Sequence, residues 1–201
     1  MGNIIKRLLA LDLPPSQSAF LWGPRKVGKS HWISHHLTGY FLIDLLKTDI
    51  FADYASQPSL LRERLLNYPS GKMVIIDEVQ KVPHLLDEVH WLIENKGLSF
   101  LLTGSSARKL KRGQANLLGG RAWKRTMVPL CSQEIDKLDW EKVMISGLLP
   151  PHYLSSNPVE DLRSYVADYL KEEIAAEALT QNIPAFRDFL RVAAIMNSEL
   201  L

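Results

Sequence analysis

One cysteine in 201 residues, Cys131, leaves the chain without an internal disulfide and suits a reducing compartment. Charge of one sign is equally scarce. Twenty-four Lys and Arg against 22 Asp and Glu give a formal net charge of +2, which excludes a polybasic coat but not a local basic patch. No apolar run approaches the roughly 18 residues that a membrane-spanning helix requires. The start, MGNIIKRLLALDLPPS, sets Lys6, Arg7 and Asp12 among its apolar residues and has no small-residue cleavage site, so no secretory leader is expected. Repeats and low-complexity tracts are absent, and the expected location is the cytoplasm. What remains is a globular composition, 46% hydrophobic and 23% charged, in a chain long enough for one sizeable domain and a smaller appendage.

Ile4, Ile5, Leu8, Leu9 and Leu11 recur at near-helical spacing before Pro14-Pro15 and predict a short leading amphipathic helix. Short apolar runs then alternate with helical patterns: AFLW at 19–22, YFLID at 40–44, KMVIID at 72–77 and SFLLTG at 99–104. Uninterrupted runs of this length indicate strands buried on both faces. Helices are expected around 30–37, 60–67 and 85–94, giving a βαβαβαβ order, and AWKRTMVPL supplies a fifth strand. The predicted fold is α/β, a parallel five-stranded sheet between helical layers, over residues 1–131. From about Ser132 to Leu201 the pattern is helical, broken by Pro150-Pro151, Pro158 and Pro184. Its apolar end, LRVAAIMNSELL, has no polar tail and predicts something further to pack on.

GPRKVGKS lies between the first strand and the first helix and fits G-x-x-x-x-G-K-[ST]. Gly23 and Gly28 permit the tight turn that aims N–H groups at phosphate oxygens, with Pro24, Arg25, Lys26 and Val27 between them and His31 following. Lys29 is expected to reach the β- and γ-phosphates and Ser30 to ligate Mg²⁺. MVIIDE carries Asp77 and Glu78 to the carboxyl edge of the sheet, Asp77 for Mg²⁺ through water and Glu78 to polarise an attacking water. This acidic pair suits an ATPase that activates water better than a small-molecule kinase. Guanine recognition would require Asn-Lys-x-Asp, and Asn95-Lys96-Gly97-Leu98 lacks the aspartate.

After the fourth strand come small polar residues. Thr103, Ser105 or Ser106 can contact the γ-phosphate or the attacking water, with Ser106 carried as the candidate; all three also suit a helix N-terminus. Two glycines then precede Arg121, an arginine that can reach a neighbouring subunit's γ-phosphate in a homo-oligomer. Histidines 31 and 35, spaced i, i+4, have no carboxylate or cysteine beside them and read as a solvated helix face. The stretch Arg108, Lys109, Lys111, Arg112, Arg121, Lys124 and Arg125 is a possible nucleic-acid patch with only Trp123 for stacking. Trp22, Trp32, Trp91 and Tyr165 fall on apolar patterns and are expected in the core.

The motifs GPRKVGKS, VIIDEVQK, LLTGSSARKL and LLGGRA, in this order, resemble the AAA+ type P-loop ATPases. More narrowly, with VPLCSQEI, ISGLLPPHY and the segment from YLKEEIAAEAL onward, the chain resembles prokaryotic ATP-binding proteins that join such a core to a C-terminal domain of unknown function. The resemblance implies that the fourth strand sits between the first and third, that Asp77-Glu78 is the Walker B pair and that Arg121 is an arginine finger. It also implies a longer C-terminal part than the chain contains, and a sensor-2 arginine for which Arg163, Arg187 and Arg191 stand open. The expected activity is Mg²⁺-dependent ATP hydrolysis driving a conformational change, with ATP, ADP and a DNA or protein partner as ligands. The alternative is a nucleotide-gated switch with little hydrolysis.

Overall fold

A computed structural model describes residues 5–105, 110, 118–169 and 182–196. Five strands, β1 (Ser18–Trp22), β2 (Phe41–Asp44), β3 (Met73–Asp77), β4 (Ser99–Gly104) and β5 (Ala122–Thr126), form one sheet in the order β2-β3-β4-β1-β5. Every neighbouring pair is parallel. β4 separates β1 from β3, as the resemblance implies. Among the described residues, the helices between the strands include α1 (Lys29–His36), α2 (Thr48–Ser56), α3 (Leu60–Leu65) and α4 (Leu85–Lys96).

Alternate residues of each strand feed opposite faces. Phe20, Trp22, Val74, Ile76, Phe100 and Leu102 pack with Tyr54 of α2, Leu61 and Leu65 of α3, and Leu85, Leu86, Val89 and Leu92 of α4. Ala19, Leu21, Ile75 and Leu101 pack on the other face with Trp32 and Ile33 of α1. The result is the three-layer α/β arrangement of a P-loop NTPase, and its central strands are apolar over most of their length because both of their faces are covered. In α4, Asp87 and Glu88 occupy the first turn, Lys96 the last, and Gly97 ends the helix with φ of 60°.

Three expectations change. Among residues 5–13 there is no helix: odd positions turn inward and even positions outward, a two-residue period that sets Leu9, Leu11 and Leu13 against the α1 face. The cause is tertiary. Arg7 donates from Nε to Glu134 Oε1 at 3.0 Å, and from its other nitrogens to the carbonyls of Val27 at 2.7 Å and Val128 at 2.5 Å. The Leu8 N–H adds a bond to the same Glu134 oxygen at 2.7 Å, a set of partners that only an extended strap can reach. Secondly, α2 was not anticipated. Thirdly, Trp91 is half exposed, with the Arg62 guanidinium 5.4 Å from its ring centre.

The chain divides into two compact units, Met1–Leu138 with Leu148–Pro150, and Asp139–Gly147 with Pro151–Leu201. The second contains helices Trp140–Ser146, Pro158–Tyr169 and Ile183–Ile195. Asp139 caps the first of these by accepting from the Lys142 N–H at 3.1 Å, and Asn182 caps the last by accepting from Ala185 N–H at 3.0 Å. Among the described residues no helix is long and apolar enough to cross a membrane.

Arg7 and Glu134 form a pair whose side chains are 8% and 4% exposed. Burial pushes the Glu134 carboxyl up, but the N–H of Leu8, the Arg7 guanidinium and the N–H of Cys131 outweigh it and hold the group below its ordinary value. A folded value below the unfolded one stabilises the protein above the usual carboxylate pKa of about 4.3, and that contribution disappears as pH falls through the folded value. Arg7→Ala should therefore lower stability by about 3 kcal/mol at neutral pH. In denaturant titrations the difference between Glu134→Gln and the unmodified chain should shrink once the pH falls below about 4.

Candidate nucleotide site

β1 ends at Trp22 and the chain enters the loop 23–28. Gly23 sits where a side chain cannot, since a Cβ would lie 2.4 Å from the Met127 carbonyl oxygen. Gly28 has φ of 100° and caps α1, whose first turn carries no acidic residue, so the positive end of the helix stays open to an anion. Val27 turns its side chain into the core, leaving only its backbone to the loop. Its carbonyl is the one that Arg7 bonds, so the strap anchors the phosphate loop directly.

Lys29 is buried, and its Nζ donates to the carbonyls of Gly23 at 2.7 Å and Pro24 at 3.3 Å. This keeps an ammonium at the mouth of the loop. Ser30 Oγ donates to Asp77 Oδ2 at 3.0 Å, bringing together two residues that are 47 positions apart. Thr103 Oγ1 donates to the second Asp77 oxygen, so one carboxylate joins α1, β3 and β4. A serine hydroxyl beside a fixed carboxylate fits a hard divalent cation, which takes oxygen donors and keeps several waters. The residues present thus suit Mg²⁺. Among the described residues there is no cluster of three or more His, Cys, Asp or Glu for a metal held by protein alone.

Glu78 follows Asp77 with a left-handed backbone, φ 59° and ψ 43°, and its Oε2 accepts from Gln80 Nε2. Arg25, Lys26, Gly28, Lys29, Ser30, His31, Leu46, Asp77 and Glu78 line a cavity of about 300 Å³, the volume of a small-molecule site. Leu46, just beyond β2, was not among the expected residues. Neither were Gln80 and Arg7.

Arg121 lies elsewhere. Ser18, the first residue of β1, is level with Ala122, and Trp22, the last, is level with Thr126, so Arg121 sits at the amino edge of the sheet. Along the strand, about five steps of roughly 3.3 Å each separate Arg121 from the level of Trp22, beyond which the phosphate loop begins. There its Nε bonds Glu94, which the guanidinium holds below the ordinary carboxylate value. Ser106, with Arg108, Lys109, Lys111 and Arg112 of the basic stretch, lies outside the described residues; Arg125 stacks 4.9 Å from the centre of the Trp123 ring. His31 and His35 pack ring on ring with centres 4.0 Å apart. Arg163 pairs with Glu160 and Arg187 with Asp188 in the second unit.

Among known proteins, the family described as AAA domain matches residues 16–136, more than half of the chain. An uncharacterized protein of Methanocaldococcus jannaschii is 26% identical over 141 residues, covering 68% of this chain and 32% of the relative. The chain thus spans about a third of the length of that relative. The Orc1 protein of Aeropyrum pernix, solved in complex with DNA, matches with a TM-score of 0.43 and 14% identity, over 79% of this chain and 62% of its own. With the phosphate loop, the sheet order and the family match in place, the chain belongs to the AAA domain family and is a nucleotide-binding module of AAA+ P-loop ATPase type.

Proposed function

We propose that the chain binds ATP with Mg²⁺ and hydrolyses it, and that the cycle drives a conformational change in a partner, DNA or protein, or in an appended domain. The observation that carries this reading is the 3.0 Å bond between Ser30 and Asp77, set beside a buried Lys29 and an adjacent Glu78. Loop backbone N–H groups and the α1 terminus receive the phosphates, and Lys29 neutralises their charge. Ser30 and Asp77 hold Mg²⁺, which supplies charge stabilisation at the phosphate oxygens. Glu78 orients the attacking water. Thr103 fixes the rotamer of Asp77, and Ser106 is the γ-phosphate contact. In this reading residues 1–131 are the ATPase core, residues 132–201 are a helical lid and the start of a C-terminal domain, and the protein works in the cytoplasm.

The position of Arg121 supports a role in trans. At the amino edge of its own sheet it is remote from its own phosphate loop and exposed toward solvent, where a neighbouring subunit's nucleotide can approach it. Its bond to Glu94 is an exposed pair of small energetic weight, easily exchanged for a phosphate. A second reading, a nucleotide-gated switch with little turnover, draws on a different observation: with Arg121 at the amino edge of its own sheet, a single chain binds nucleotide without an arginine at the γ-phosphate.

Lys29→Ala should weaken ATP binding about 100-fold, the loss of two charge-assisted hydrogen bonds, measured by calorimetry. Glu78→Gln should leave that affinity intact and slow turnover by roughly 100-fold or more. Turnover per chain should rise with protein concentration. Arg121→Ala should abolish the rise, and mixing that variant with Lys29→Ala should restore part of it, because each supplies what the other lacks. Bound ATP with turnover at the Glu78→Gln level at every concentration would favour the switch reading.

A further inference from the structure

Gln80 belongs to the short helical turn Val79–Lys81 that follows Glu78, and only 9% of its surface is exposed. Its Nε2 donates to Glu78 Oε2 and also faces Ser105 Oγ, at the end of β4, at 3.4 Å. The other half of the same amide, Oε1, is buried without a hydrogen-bond partner among the described residues. Gly104 makes room for it: a Cβ there would stand 2.2 Å from Gln80 Oε1 and 2.7 Å from the Trp22 ring.

A buried carbonyl with no partner is less stable than an apolar group of the same shape. Methionine at position 80 would fill the same space without the orphaned oxygen, so stability does not account for the glutamine. The donor does. Reversing the amide would set its carbonyl against the Glu78 carboxylate, so the nitrogen must face Glu78 and the oxygen must face Gly104. Glu78 itself adopts a left-handed backbone, a second local cost centred on the same carboxylate. Two unfavourable features and a glycine gap thus converge on holding one acidic side chain in one orientation.

We propose that Gln80 is a positioning residue for Glu78: its amide holds the carboxylate beside Asp77 and links it to Ser105, so that a change at the end of β4 reaches the group that orients water. This role rests on the ATPase reading above. It also gives Gly104 a function, since any larger residue there would displace Gln80 from Glu78.

The test uses Gln80→Met in the full chain, with ATP affinity, turnover and thermal unfolding measured together. The variant should keep its ATP affinity within about twofold and its unfolding temperature at or above that of the unmodified chain, while kcat falls about tenfold or more. Adding the substitution to Glu78→Gln should cause no further loss, because Gln80 acts through Glu78. In ¹⁵N-glutamine-labelled protein, the Gln80 side-chain amide signals should move on Glu78→Ala. Unchanged turnover in Gln80→Met, an additive loss in the double variant, or amide signals indifferent to Glu78 would each overturn the role alone. No turnover in the unmodified chain would overturn the ATPase reading and this role with it.

Discussion

Asp77 is the point at which the structure becomes a site. One of its oxygens accepts from Ser30 at the start of α1, and the other accepts from Thr103 on β4. Three segments that are distant in sequence are therefore held to one carboxylate at the carboxyl edge of a parallel sheet. The strand that delivers it is covered on both faces by apolar side chains, so its position is set by the core rather than by the loop. That division of labour suits a site that must hold its geometry while its ligand comes and goes.

The phosphate loop is supported by the same logic. Arg7 binds the carbonyl of Val27, the residue before Gly28, while its guanidinium is locked to Glu134. Glu134 in turn accepts from the N–H groups of Leu8 and Cys131. A segment before the sheet thus bonds the loop while a segment after it fixes that segment in place. Lys29 also bonds the carbonyls of Gly23 and Pro24, so the loop is held at three backbone carbonyls. Gln80 continues the pattern at Glu78, where a side-chain amide and a missing Cβ at Gly104 determine how one carboxylate is presented.

The central strands β1, β3 and β4 were legible because burial on both faces leaves uninterrupted apolar runs, and SFLLTG coincides with β4 residue for residue. At the edge of the sheet, β2 keeps an apolar run although Phe41 and Leu42 are exposed. The phosphate loop was legible because it depends on glycine spacing, which is local. Arg7 was not. Its partner Glu134 lies 127 residues away, and the apolar positions around it satisfy helical spacing and strand alternation alike until a tertiary contact decides. Trp91 carried a helical apolar pattern, but its outer face is covered by Arg62 rather than by the core. Gln80 gave no signal because its significance lies in an orphaned oxygen and a neighbouring glycine, neither of which a pattern of residue types reveals. Leu46 reaches the cavity only because β2 ends level with Asp77.

Everything proposed for the site depends on Ser30 and Asp77 together forming the metal half of a nucleotide site. The direct measurement is calorimetric titration of ATP into the chain and into Asp77→Asn, each with Mg²⁺ and with excess chelator. Mg²⁺ should tighten ATP binding to the unmodified chain, and Asp77→Asn should lose most of this gain while keeping the metal-free affinity. ATP affinity that is the same with and without Mg²⁺, or a gain that survives in Asp77→Asn, would contradict that role for the pair.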